Sequence, residues 1–147
     1  MEFFLIAIGK KFRKGKQMRI VQISGDGNCL FAACAYFLPV CHHQLRKKVV
    51  HILENHPDRQ IEGLAISEWI KLTDHPQNYI ERMKRNGTHG DGLCLSIIST
   101  NYKRTIRIYS RDPKEKKNLI LIAEYFSEYG NPITLYYNGS HYDVLED

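Results

Sequence analysis

Ile20-Val21-Gln22-Ile23-Ser24-Gly25-Asp26-Gly27-Asn28-Cys29-Leu30-Phe31-Ala32-Ala33-Cys34-Ala35-Tyr36-Phe37-Leu38 contains a strand, a tight turn and a buried helix in immediate succession. Residues 19–23 read as the strand, with Ile20, Val21 and Ile23 apolar, and Ser24 to Asn28 is a dense run of turn formers. From residue 29 to 38 apolar side chains run almost all round, as in a helix enclosed by protein, until Pro39 stops it. Asn28 is a good N-cap, which makes Cys29 the first helical residue.

Working outward, Leu45, Val49, Ile52 and Leu53 fall at i, i+4, i+7 and i+8, while Arg46, Lys47, Lys48 and Glu54 lie off that stripe, so residues 44–55 read as an amphipathic helix on a core. Residues 61–72 and 78–85 are shorter helical segments separated by Asp74-His75-Pro76. A loop with three glycines spans 86–92, and residues 93–100 resume as a helix that Asp91 caps. The last third changes to strands at 105–109, 119–126 and 133–137, punctuated by Asp112-Pro113-Lys114 and Gly130-Asn131-Pro132. One early strand, then helices, then three late strands predicts an α+β domain with helices packed on a small, mostly antiparallel sheet.

Composition agrees with one domain. The 147 residues are 43% apolar, 25% charged and 11% aromatic, too apolar for a disordered chain, and at this length folding buries roughly 68–70% of the unfolded surface. The first apolar run, Phe3 to Ile8, is, like residues 29–38, far short of the roughly 18 residues of a membrane span. It has Met1-Glu2 before it and lysines after it, the wrong order for a signal peptide. Cys29, Cys34, Cys41 and Cys94 have no regular spacing and form no Cys-x-x-Cys pair, so they read as thiols in a reducing compartment.

The net charge of +5 is unevenly placed. Residues 1–19 hold six basic groups (Lys10, Lys11, Arg13, Lys14, Lys16, Arg19) against Glu2, and residues 20–147 hold 15 basic and 15 acidic residues. A neutral body with a basic arm is weak support for a nucleic-acid groove, which needs clustered Lys and Arg on the folded domain. Nucleic acid is therefore not expected as the main partner. The arm, residues 1–18, reads as a weakly packed terminus, with an added strand, an interfacial segment for anionic membranes and a true start at Met18 as alternatives.

The chemistry concentrates at two places. A thiol attacks as thiolate, and a helix amino terminus favours negative charge. Cys29 is expected at such a terminus, and the N–H groups of Gly27, Asn28 and Cys29 are positioned to converge on a developing oxyanion. His141, in the turn Asn138-Gly139-Ser140-His141, is a general base if something fixes its tautomer, and Asp143 lies on the same side two residues on in an extended strand. Asp26 is a second acid near the thiol. His42-His43 beside Cys34 and Cys41 matches no usual zinc spacing, so no metal is expected. His51, His56 and His75 read as surface residues and Cys94 as packing.

These residues carry a resemblance. Asp26-Gly27-Asn28-Cys29-Leu30-Phe31 resembles the nucleophile motif of the OTU (ovarian tumour) family of cysteine deubiquitinases, and His141-Tyr142-Asp143 after Ile133-Thr134-Leu135-Tyr136 resembles its histidine motif. Leu45-Arg46 and Val49 open a helix like the family's second, and Gly87-Thr88-His89-Gly90-Asp91 is similar to its Gly-Thr-Trp-Gly loop. The resemblance implies a papain-like OTU cysteine protease fold over residues 19–147, without cofactor. It implies Cys29 as nucleophile, His141 as base and acid, Asp143 as the side chain orienting it, and Asp26 beside an oxyanion hole at Gly27 and Asn28. Thr88, His89 and Gly90 would line the channel for a Gly-Gly tail. Ubiquitin, polyubiquitin chains or ubiquitinated proteins are the implied partners and the cytosol the implied location, a host's cytosol for a microbial or viral effector. A weakly active or inactive binder or protease of another ubiquitin-like modifier is the alternative, and a basic nucleic-acid-binding module the second. His89 stands where the family often has tryptophan, so weaker or pH-dependent substrate affinity is expected.

Overall fold

The computed structural model describes residues 10–11 and 18–147; the readings made of residues 1–9 and 12–17 lie outside them. In chain order the elements are β1 (Lys10–Lys11), β2 (Arg19–Val21), α1 (Cys29–Ala35), α2 (His42–Asn55), β3 (Gln60–Ile61), β4 (Leu64–Ala65), α3 (Ile66–Lys71), α4 (Tyr79–Met83), α5 (Gly92–Tyr102), β5 (Ile106–Arg111), β6 (Leu119–Tyr125), β7 (Ile133–Tyr137) and β8 (Tyr142–Glu146). The main sheet has the order β1-β6-β5-β7-β8-β2, with every pair antiparallel except β5 and β7. This is the expected α+β class with a mostly antiparallel sheet.

Helix α1 packs on β7, β8 and α2, and the nearly all-round apolar α5 packs on β6 and α2. Leu30, Phe31, Ala33 and Cys34 of α1 and Leu93, Leu95 and Ile98 of α5 are buried together with Ile106, Ile133, Leu135 and Val144 of the sheet. Burying side chains of this size contributes about 1.5–3 kcal/mol each. Alternate strand residues supply a smaller cluster, Tyr109, Leu121 and Leu145, apart from this core.

Several local expectations are corrected. α1 ends at Ala35, and residues 36–39 are turns, so the chain leaves the helix before Pro39. α2 starts at His42, two residues early, because Cys41 and Gln44 cap it reciprocally. Residues 60–65 form a two-residue hairpin rather than helix: Glu62 and Gly63 both take positive φ, 51° and 78°, the backbone of a type I′ turn. β8 is a further late strand that hydropathy spacing did not give, and it pairs with both β7 and β2. All four cysteines are free thiols. No helix among the described residues is long and apolar enough to cross a membrane.

The topology brings distant residues to one end of the sheet. Among the described residues β2 is an edge strand whose only partner is β8, in the register Arg19↔Glu146 to Val21↔Val144. The loop leaving β2 toward α1 therefore begins beside the start of β8, where His141 and Asp143 lie.

Candidate active site

Cys29 opens α1 and is almost fully buried. The loop before it is shaped by Gly27, whose φ is +80° and where a Cβ would stand 2.0 Å from the Gly87 carbonyl oxygen. No side chain fits at that position. The loop of residues 86–91 is thus pressed onto the loop of residues 24–28, and at Gly90 a Cβ would come within 3.1 Å of Leu30 and 3.2 Å of Phe31.

His141 is held by the turn between β7 and β8. The Asn138 carboxamide oxygen accepts from the N–H of Ser140 (3.0 Å) and of His141 (2.9 Å), an Asx-type turn in which Gly139 takes φ +107°. The imidazole Nε2 lies 2.8 Å from Asp143 Oδ1, with both side chains mostly shielded. A carboxylate only accepts, so Nε2 carries the hydrogen and Nδ1 of the neutral ring keeps its lone pair. Nδ1 is 4.0 Å from the place of a Cβ on Gly25, so it faces the loop that leads to Cys29. Asp143 Oδ1 also accepts from Ile23 N–H at 2.8 Å, which ties the imidazole's support to the start of that loop.

Asp26 is exposed, and its carboxylate accepts from Asn28 N–H at 3.1 Å. Of the three amides expected to face an oxyanion, that of Asn28 is therefore engaged, and those of Gly27 and Cys29 have no acceptor among the described residues. Asn28 occupies the N-cap position but makes no side-chain cap bond. Its oxygen instead accepts from Arg46 Nη2 (2.8 Å) and Gly87 N–H (2.8 Å).

Arg46 lies off the apolar stripe of its helix, yet it is buried. Its Nη2 also donates to the Thr88 carbonyl (2.7 Å), its Nη1 to the Met83 carbonyl (3.1 Å), and its guanidinium lies over the Phe31 ring at 4.4 Å. Burial lowers its pKa, but arginine stays charged at neutral pH. The available signal was a second spacing on α2, Arg46, Val50 and Leu53 at i, i+4 and i+7, with Val50 buried as well.

Thr88, His89 and Gly90 lie in the loop beside this site. His89 is exposed and borders two cavities. One, of about 350 Å³, is lined by Gly90–Gly92 and by Tyr137, Ser140 and Tyr142. The other, of about 210 Å³, lies toward Tyr79 and Arg82. Tyr137 and Tyr142 stack with ring centroids 4.6 Å apart and wall the first cavity next to the His141 turn. Asp91 caps α5 by accepting from Cys94 N–H (3.1 Å), as expected, and also accepts from the Tyr79 hydroxyl (2.8 Å).

The other thiols sit in different surroundings. Cys34 is completely buried, which pushes its thiol up to about 12. Burial and the nearby Asp91 carboxylate also raise Cys94. Cys41 is exposed at the start of α2. The His42 and His43 rings lie 4.0 Å apart, tilted by 39°, and burial followed by the neighbouring imidazole lowers the pKa of His42.

A family model described as OTU-like cysteine protease matches residues 24–143, from the turn before Cys29 to Asp143. The chain belongs to this family. OTU relatives include an Arabidopsis thaliana ovarian tumor domain-containing deubiquitinating enzyme 4, 30% identical over 92% of this chain and 46% of its own length. The human ubiquitin thioesterase OTU1 is 26% identical over 84% of this chain and 34% of its own. The chain spans less than half the length of these curated relatives. Among solved structures, the OTU domain of OTUD1 superposes with a TM-score of 0.69 at 18% identity, covering 88% of this chain and 86% of that one. The Hazara virus OTU bound to ubiquitin gives 0.68 at 17% identity, covering 94% and 86%. These two likenesses establish the OTU fold.

Proposed function

We propose that this chain is a cysteine deubiquitinase that cleaves isopeptide or peptide bonds after the C-terminal glycine of ubiquitin. The observation that carries the reading is the His141 imidazole, held on Asp143 through Nε2 with Nδ1 facing the loop that leads to Cys29. The relatives' names, a deubiquitinating enzyme and a ubiquitin thioesterase, support it, as does a Hazara virus OTU domain solved with ubiquitin bound.

In this mechanism Nδ1 of His141 takes the Cys29 thiol proton and the thiolate attacks the glycine carbonyl carbon. Gly27 and Cys29 N–H groups stabilise the oxyanion. As the C–N bond breaks, His141 gives its proton to the leaving amine, and a thioester remains on Cys29. Water then loses a proton to His141 and attacks the thioester, and the thiol recovers that proton on leaving. Every step uses side chains and backbone of this chain. The cavity beside Gly90–Gly92, walled by the tyrosine pair, is the place assigned to the tail of two glycines. Four free thiols suit the cytosol as the place of action.

A panel of diubiquitin linkages incubated with the purified protein tests the reading: release of monoubiquitin from at least one linkage is expected, and inertness toward all of them, with a ubiquitin C-terminal amide also uncut, contradicts it. Turnover of a different ubiquitin-like modifier alone would favour the alternative substrate. His89→Trp is expected to lower KM for a ubiquitin C-terminal ester several-fold, because an indole adds apolar surface at the rim of the cavity. An unchanged or raised KM would count against His89 as a channel residue.

A further inference from the structure

We propose that Arg46 is a positioning residue that sets the nucleophile loop and the substrate loop with one guanidinium, so that both catalysis and substrate affinity depend on it. The inference rests on the proposed function for its substrate. Its structural ground is independent of that substrate.

Arg46 Nη2 donates to two acceptors on different loops, Asn28 Oδ1 directly before Cys29 and the Thr88 carbonyl directly before His89. Gly87 N–H joins the same Asn28 oxygen, and Nη1 reaches the Met83 carbonyl at the end of α4. The partners are separated by 18, 37 and 42 residues in sequence, so no local turn holds these segments together. No carboxylate among the described residues lies within ion-pair distance of Arg46. Charge neutralisation is therefore not what keeps the guanidinium there, and its planar fork of donors matches what the site asks of it. Lysine, with one nitrogen on a flexible stem, cannot span the same carbonyls. Removing the fork frees the Asn28 side chain to return to ordinary N-cap geometry, which moves the backbone leading into Cys29. It also releases Thr88, which lets the His89–Gly90 edge of the 350 Å³ cavity drift.

Arg46→Lys and Arg46→Met are compared with wild type using a fluorogenic ubiquitin C-terminal amide, with the folded fraction taken from melting curves at the assay temperature. Both variants are expected to lose at least 100-fold in kcat/KM, divided between a lower kcat and a higher KM. A purely structural role lowers the folded fraction and hence apparent kcat in proportion, with KM unchanged; that result overturns the proposal. Wild-type-like constants in Arg46→Lys also overturn it, since charge alone would then suffice. If Arg46→Met does not fold, Arg46→Lys decides the question. Amide hydrogen exchange at Gly87 needs no substrate: at least tenfold faster exchange in Arg46→Lys, with sheet residues Ile108 and Leu135 unaffected, supports the positioning role, and unchanged exchange refutes it. Wild-type protein inert to ubiquitin would sink the proposed function and leave this second measurement to judge Arg46.

Discussion

Cys29→Ala is expected to abolish covalent capture by a ubiquitin carrying a C-terminal electrophile and to reduce turnover to background, while Cys34→Ala still labels. Four thiols are present, but their surroundings differ. Cys34 and Cys94 are sealed in the core with their thiols held in the neutral form, and a neutral buried thiol is a poor nucleophile. Cys41 is exposed, at the N-cap of α2, and belongs to that helix's cap. Only Cys29 follows the Gly27 turn and lies at the end of the loop that His141 faces. Loss of a nucleophile removes the covalent route altogether. Cys34→Ala should lower the melting temperature by a few degrees through the small cavity it leaves, about 1 kcal/mol, without touching the reaction. Capture that persists in Cys29→Ala, read by a mobility shift and mass spectrometry, would remove Cys29 from the mechanism.

The second large effect concerns which acid supports the imidazole. Asp143→Ala is expected to lower kcat roughly 10²- to 10⁴-fold, because His141 loses the partner that sets its tautomer and orientation. Asp143→Asn should retain more activity than Asp143→Ala, because a carboxamide oxygen can still accept from the imidazole. The reason is that a single oxygen, Oδ1, accepts from both Ile23 N–H and His141 Nε2. The Ile23 donor fixes which way a carboxamide turns, keeping its oxygen toward the imidazole. Asp26→Ala should have a small effect, since that carboxylate is exposed and bonds only the Asn28 amide among the described residues. Steady-state kinetics of the three variants settle the ranking. An Asp26→Ala loss larger than that of Asp143→Ala would reverse the assignment made from this geometry.

Much of the frame was legible because it is local. Cys29 at the head of a helix, Asp91 as the cap of α5 and Ile133–Tyr137 as a strand follow from turn chemistry and spacing within a few residues. The pairing of His141 with Asp143 is also local, two residues apart on an extended chain. Arg46 was not legible in the same way. Its charge put it on the solvent side of a helical wheel, whereas the carbonyls that hold it belong to Met83 and Thr88, far along the chain. Asn28 shows the same difficulty in reverse: a residue type that caps helices was diverted because a buried cation and Gly87 N–H offered its oxygen stronger partners. The β3–β4 hairpin escaped because apolar residues around Ile61 and Leu64 satisfy helical spacing until one knows that Glu62 turns left-handed.

The pairing of β2 with β8 has a consequence for how the protein comes into being. Ile23 and Asp143 are 120 residues apart, and they meet only through that strand pair. A chain leaving the ribosome at about 5–20 residues per second exposes Cys29 many seconds before His141 exists. During that interval β2 lacks its β8 partner and the thiol has no base. Under the proposed function, competence therefore arrives only when β8 slots in beside β2, and the site stays silent while the residues between Cys29 and His141 are being made.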